Sequence, residues 1–380
     1  MTDMQKRTLG RTGLEVSILG LGGFHLLEIS IEDAQAILNR YLDAGGNYVE
    51  TAAQYGDGES EQKVGTVMAS RRAECVLATK CHARDRDTAA QLIDQSLANL
   101  QTDHVDILFM HHIQKQAELD QILSADGALR AAEAARDAGK IRFIGISNHG
   151  HPEIMIEALK NYEFDVIMTT FNYYDRFNFP LIEDALLPLA IERNVGIVGM
   201  KAVGDGFLWR SAAQGFRYGW SLPIHVMVAG INTLPMLEQD LAYAETFTPM
   251  SEEEKEQWFF EAPELGNYVC RLCDKCLPCP EEVNIPRIFE LEGWFDRQMW
   301  DEVVRDPGDY MLRTALRFWF DNEERARTAY AALPVKADAC TDCGECEPRC
   351  PYHLPIVNKL RISHEKLTEA KALHPDWAWR

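Results

Sequence analysis

No stretch of this chain approaches the roughly 20 consecutive apolar residues that a membrane-spanning helix requires. The opening residues, Met1 to Arg7, lack the apolar core of a secretory signal, so the expected compartment is the cytoplasm. Basic residues are in deficit: 38 Lys and Arg stand against 59 Asp and Glu, a formal charge of -21. Such a surface repels polyanions, which excludes nucleic acid and anionic membrane as expected partners. Only Cys75 and Cys81 precede Cys270, so a disulfide framework is not expected. The fingerprint G-x-G-x-x-G is also missing. Gly20-Leu21-Gly22-Gly23 follows an apolar run, but the spacing differs and no helix starts there. That disfavours a doubly wound dinucleotide-binding half. The glycines are expected instead to let the backbone approach a ligand.

With 46% hydrophobic and 26% charged residues over 380 positions, the composition suits one large globular domain and a small one. After a hairpin at 6–13, a first strand is expected at 16–19. Further strands are expected at 48–50, 76–80, 105–111, 141–147, 166–170, 195–200 and 224–228, each short and apolar with β-branched content. Helical patterns alternate with them. One opens on the N-cap sequence Ser30-Ile31-Glu32-Asp33 and stops at Gly45, and others cover 88–100, 128–138 and 153–159. Eight strand–helix units over about 245 residues predict an α/β fold, a closed (β/α)8 barrel. The expected domains are the barrel at 1–250, an acidic helical linker at 251–265, and a small, mainly α domain at 266–380. Short helices between the cysteine runs would draw a core from Trp294, Trp300, Phe318, Trp319 and Phe320. A last helix is expected at 356–373, followed by a tail with Trp377 and Trp379.

In such a barrel the chemistry sits where the strands end. Glu50 and the loop residue Tyr55 follow the second strand, Lys80 ends the third and His111 ends the fourth. Ser147 and Asn148 follow the fifth. A carboxylate, a phenol, an ammonium and an imidazole on one mouth form a proton-transfer set. A lysine beside a tyrosine is expected to favour the phenolate and lower its pKa, while the carboxylate keeps the lysine charged. The histidine would orient a carbonyl oxygen. His112 is expected to pack away from the mouth, since neighbouring strand residues face opposite sides. Cys75 and Cys81 read as buried packing residues. Phe207 and Trp209 read equally as pocket lining or as loop anchors.

Several segments in order resemble the aldo-keto reductases. The opening 4–17, the stretch 47–56 with Ser60-Glu61, Ala78-Thr79-Lys80, Asp106 to His111, and Gly145-Ile146-Ser147-Asn148 are similar to that family's motifs over residues 4 to about 247. The resemblance implies hydride transfer from a nicotinamide to a small carbonyl substrate, or the reverse from an alcohol. It implies Tyr55 as proton donor, tuned by Lys80 and Glu50, with His111 orienting the substrate. Ser147 and Asn148 would hold the carboxamide, Gly22 and Gly23 would lie under the cofactor, and Met200-Lys201 replaces the ring that stacks on the nicotinamide. Gln239 and Asp240 stand near the usual adenine contacts. Glu50 departs from the family aspartate by one methylene. Met168 departs from a common glutamine. The stretch 230–240 holds no Lys or Arg, which favours NAD(H) over NADP(H).

The remaining cysteines form two runs, Cys270-x2-Cys273-x2-Cys276-x2-Cys279-Pro280 and Cys340-x2-Cys343-x2-Cys346-x3-Cys350-Pro351. Three closely spaced thiolates plus a remote cysteine followed by proline is the pattern of a 4Fe-4S centre. In two-cluster ferredoxins the fourth cysteine of each run serves the other cluster. The expected sets are Cys270, Cys273, Cys276 and Cys350 for one cluster, and Cys340, Cys343, Cys346 and Cys279 for the second. Zinc is the alternative. The two-residue gap before Cys279 resembles the iron–sulfur subgroup of aldo-keto reductases. Two functions follow. One is a nicotinamide-dependent oxidoreductase with an appended two-cluster, ferredoxin-like domain and a redox partner protein. The other is an electron-transfer or redox-sensing protein whose barrel binds a ligand without turnover.

Overall fold

The computed structural model describes residues 4–299 and 323–368. Contacts divide them into two compact units. The first runs to Ser251 apart from Tyr174–Pro180 and Asp205–Phe207, which belong to the second unit together with the chain from Glu252 onward.

In the first unit a hairpin pairs β1 (Lys6–Thr8) with β2 (Glu15–Ser17) in antiparallel register. Eight parallel strands then close a barrel: β3 (Leu19–Gly22), β4 (Tyr48–Glu50), β5 (Val76–Cys81), β6 (Val105–Met110), β7 (Ile141–Ser147), β8 (Val166–Thr170), β9 (Gly196–Met200) and β10 (Val226–Gly230). The expected first strand at 16–19 is corrected here. Ser17 ends the hairpin, its backbone N–H held by the Asn47 side chain and its hydroxyl donating to the Leu19 carbonyl. The barrel strand begins only at Leu19 and runs through Gly20 to Gly22, which the sequence placed in a turn. Inside the barrel a Cβ on Gly20 would stand 2.9 Å from Val226 and 3.0 Å from Tyr48.

The core shows which faces point inward. Tyr48, Val76, Ala78, Ile107, Phe109, Val166, Met168, Val198, Met200, Val226 and Val228 fill the interior, joined by Leu9 and Val16 of the hairpin. Side chains alternate along a strand, so the next inward positions after Tyr48, Ala78 and Phe109 are Glu50, Lys80 and His111. One parity rule thus carries three functional groups to the same end of the barrel.

Helices surround the strands. Helix α1 (Ile31–Asp43) is capped as its sequence announces, the Ser30 hydroxyl accepting from the Asp33 N–H at 3.1 Å. Helix α2 (Glu59–Arg71) follows β4, and α3 (Arg86–Asn99) follows β5. Helix α4 (Gln116–Leu123) was not expected. Its start is set by Glu118, whose carboxylate accepts the N–H groups of Gln114 and Lys115 at 2.9 and 3.1 Å.

The second unit is helical in its described elements, including Glu252–Glu261, Ile285–Asp296, Glu323–Ala331 and Ile356–Thr368. Its interior holds a charge network. The fully buried Glu292 accepts from Lys359, from Lys366 at 2.8 Å, from Ser363 at 2.9 Å and from the Tyr268 hydroxyl at 2.8 Å. Asp296 pairs with Lys366 at 2.9 Å. Trp294 is buried here, whereas Trp300, Phe318, Trp319, Phe320, Trp377, Trp379 and the expected end of the last helix lie outside the described residues. Among the described residues no helix is long and apolar enough to cross a membrane.

Candidate active site

At the C-terminal end of the barrel, the Lys80 ammonium meets the Glu50 carboxylate in a buried ion pair and donates to the Thr51 carbonyl and the Tyr55 hydroxyl, each at 3.0 Å. Glu50 and Lys80 are 4% and 2% exposed, so solvent screens neither. The longer acid has room because Gly22 carries no side chain. A Cβ there would stand 3.2 Å from a Glu50 oxygen. Gly23 is required for a similar reason, since its Cβ would press on the Ser60 hydroxyl at 2.7 Å. Packing of the site itself thus demands both glycines, a role the sequence did not suggest. Ser60 in turn donates to the Gly23 carbonyl at 2.7 Å and bonds the Thr51 hydroxyl at 2.8 Å, tying the β3 and β4 ends together.

Tyr55 is aimed by the turn behind it. Gly56, Asp57 and Gly58 all take positive φ, at 59°, 51° and 94°, reversing the chain into α2. The phenol ring then lies edge-on to Phe24 and to His111, with centroid separations of 5.1 and 5.7 Å. Burial holds the Tyr55 phenol above its ordinary pKa, against the expectation that Lys80 lowers it. Burial also pushes Lys80 down, opposed by the carboxylate in contact with it. His111 sits well below the usual imidazole range, first through burial and then through Lys80. The arrangement is a protonated phenol beside a neutral imidazole and a buried ion pair, which is a set able to give a proton to an oxygen held near His111.

The next shell departs further from the sequence reading. His112 does not pack away. The strand ends at Met110 and His112 takes φ of 58°, which brings its ring 6.2 Å from His111 and 4.9 Å from His149. Arg84 fixes this corner by donating to the carbonyls of His82, His111 and His112 at 3.0–3.1 Å and to Glu118 at 3.0 Å. Neither Arg84 nor His149 was singled out beforehand, although His149 follows the Ser147-Asn148 pair directly.

Ser147 and Asn148 end β7 fully buried, with their side chains engaged in the protein. The Ser147 hydroxyl accepts the His112 N–H at 3.0 Å. Asn148 donates to the Ile113 carbonyl at 2.6 Å and accepts from the His151 N–H at 2.8 Å. Met200 ends β9, and Lys201 follows at φ of 61° and acts electrostatically on His112 and His149. Gln239 is exposed on helix α5 (Leu234–Glu245), while Asp240 turns inward and is pushed up to about 7 by burial. Beside them Arg40 of α1 pairs with Glu238 at 2.6 Å, a guanidinium that the composition of 230–240 could not reveal. Trp209 is 57% exposed, Cys75 and Cys81 are buried, and Phe207 belongs to the second unit.

The sequence model of the Aldo/keto reductase family matches residues 18–249. The chain belongs to the aldo/keto reductase family. It is an NAD(P)-dependent oxidoreductase with that family's eight-stranded barrel. Among similar proteins, an uncharacterised oxidoreductase of Bacillus subtilis, YqkF, is 30% identical over 54% of this chain and 67% of its own. The L-galactose dehydrogenase of Arabidopsis thaliana is 32% identical over 55% of this chain and 68% of its own. The solved aldo-keto reductase AKR11C1 of Bacillus halodurans, in its holo form, superposes with a TM-score of 0.58 at 25% identity, over 67% of this chain and 94% of that one. The family match ends before either cysteine run.

In the second unit the eight cysteines line two cavities. Cys270, Cys273, Cys276 and Cys350 surround one, together with Arg271 and Tyr352. Cys279, Cys340, Cys343 and Cys346 surround the other, together with Glu281 and Arg349. Each cavity draws three thiols from one run and the fourth from the other. Among the described residues no group of three or more His, Cys, Asp or Glu stands close enough to hold a single metal ion.

Proposed function

We propose that the barrel transfers hydride between NAD(H), in preference to NADP(H), and the carbonyl carbon of a small carbonyl or alcohol substrate. The nicotinamide, when bound, supplies the hydride chemistry. Tyr55 gives its proton to the carbonyl oxygen in the reducing direction. Lys80, held by Glu50, offsets the negative charge that develops on the phenol oxygen 3.0 Å away. His111, kept neutral by burial, orients the carbonyl oxygen. Ser147 and the remaining amide N–H of Asn148 face the carboxamide, and Met200 offers it an apolar floor. The observation that carries this reading is the convergence of Glu50 and Tyr55 on Lys80, with the Tyr55 ring edge-on to His111. The cofactor preference rests on residues 230–240, which hold no cation, and on Glu238, which occupies the guanidinium of Arg40. Fluorescence titration checks it: NADH is expected to bind at least about tenfold more tightly than NADPH, ~1.4 kcal/mol. The opposite order would contradict the reading.

The second unit is read as a ferredoxin-like carrier of two 4Fe-4S clusters that exchange single electrons with a redox partner protein. The two cavities support this, because each brings together the four cysteines that the crossed ligation of a two-cluster ferredoxin requires. A zinc ion would draw four sulfurs to about 2.3 Å from one point. Metal analysis separates such a site from a cluster. Iron and acid-labile sulfide in anaerobically purified protein should each approach about eight per chain, as two cubanes require. Stoichiometric zinc would overturn the assignment.

A further inference from the structure

Arg271 lies next to Cys270 in the chain and is only 6% exposed. Its guanidinium donates to the carbonyls of Phe259 at 3.1 and 3.2 Å, of Leu265 at 3.2 Å, and of Val269. It also lies over the Tyr352 ring at 4.5 Å. None of these partners is a carboxylate. Arg271 lines the first cavity together with Tyr352, Cys270, Cys273 and Cys350. A buried cation without a counter-charge is costly, and arginine does not escape that cost by losing its proton in the neutral range. Three of the four thiols of the first cavity are placed to supply the missing charge.

The second cavity is built differently. Its lining guanidinium, Arg349, is half-exposed and bonds the carbonyls of Pro278 and Glu345, each at 3.0 Å. Carboxylates surround the thiols there. Glu281 lines the cavity, Glu347 follows Cys346 in the chain, and an Asp342 oxygen lies 3.9 Å from the Cys340 sulfur, though that carboxylate is paired with Arg361. Cys270, Cys276 and Cys350 are buried in the first set, whereas of the second only Cys346 is. The first cavity carries charges of both signs as well. Asp274 lines it but is exposed, and Lys359, which acts on Cys270, is paired with Glu292. Among the described residues Arg271 has no carboxylate paired with it.

We infer that Arg271 is the fixed counter-charge of the first cysteine set, so that a cluster held there is reduced more readily than one held by the second set. Adding one electron to either centre makes it more negative without making or breaking a bond. Arg271 stabilises that added charge from a buried position, while Glu281 and Glu347 oppose it at the second set. Electrons entering the unit therefore come to rest on the first centre.

This inference rests on the two-cluster reading, and one experiment separates the two. The full chain, purified anaerobically and shown to hold about eight iron atoms, is titrated with dithionite and followed by electron paramagnetic resonance. Two one-electron steps are expected, differing at least tenfold in reduction equilibrium, ~59 mV for one electron. Arg271→Gln should lower the upper step alone, and Arg271→Lys should restore most of it. Arg349→Gln should leave the upper step in place. If iron is absent, the cluster reading fails. If iron is present and the two centres titrate together, or Arg271→Lys moves the upper step as far as Arg271→Gln, the assignment of Arg271 is wrong. Should Arg271→Gln not fold, the wild-type separation and the Lys variant still decide.

Discussion

Glu50 is one methylene longer than the aspartate that the family resemblance leads one to expect, and Gly22 leaves room for it. The extra methylene reaches into space that Gly22 leaves open, so the carboxylate still meets Lys80. Because both partners are buried, removing one strands the other. Lys80→Met should cost roughly 3–5 kcal/mol in urea denaturation, whereas the double variant Glu50→Gln/Lys80→Met should recover most of that loss. Equal losses in the single and double variants would show that the pair is not coupled. The histidines give a pH signature. His111 and His149 have folded pKa values held well below the ordinary range by burial, with Lys80 or Lys201 adding to it. Below about pH 6.5 the unfolded chain takes up protons that the folded one refuses, so stability present above that pH is lost as pH falls. His149→Asn should flatten this slope by ~1.4 kcal/mol per pH unit between about pH 6.5 and pH 5. An unchanged slope would contradict the burial argument. Much of this was legible beforehand, since Glu50, Tyr55, Lys80 and His111 stand at strand ends in the sequence. His112 was misread because its positive φ, set beyond the end of β6, cancels the alternation rule. The pKa of Tyr55 was misread because burial is a property of the closed barrel and not of any motif.

At the scale of elements, the alternation of strand and helix was readable and most strands lie within two residues of their expected bounds. The exception is the start of the barrel. Glycines there suggested a turn, yet Gly20 and Gly22 lie inside β3 because Tyr48, Val226, Val228 and Glu50 occupy the space where side chains would stand. A contact between distant strands cannot be read from the local residues. The same holds for α5, whose lack of Lys and Arg was visible while its pairing with Arg40 of α1 was not. On that helix Asp240 offers a test of sign opposite to the histidines. Burial raises its folded pKa to about 7. The unfolded aspartate titrates near about 3.9, so the folded state holds the extra proton between those values and loses stability as pH rises through them. Asp240→Asn should therefore stabilise the protein at pH 8 by roughly 1–3 kcal/mol and have little effect near about pH 4. Destabilisation by Asn at pH 8, measured by urea denaturation, would mean that the carboxylate is used in its charged form.

For the whole molecule, the family's hydride chemistry belongs to the barrel, and the proposed one-electron chemistry belongs to the cysteine unit. The crossed cysteine sets expected from the two-cluster ferredoxin pattern are the ones that line the two cavities. The surroundings of each set were not legible in the sequence, since Arg271 meets Tyr352, and Lys359 meets Glu292, only after the chain packs. The claim on which the account turns is that Tyr55 supplies the proton for hydride transfer in the barrel. The most direct measurement compares wild type with Tyr55→Phe, following NADH oxidation with an activated aldehyde such as 4-nitrobenzaldehyde alongside NADH binding by fluorescence. Turnover should fall by about 100-fold or more, while the dissociation constant for NADH changes by less than about threefold, ~0.65 kcal/mol. A variant that reduces the aldehyde at the wild-type rate would contradict the account.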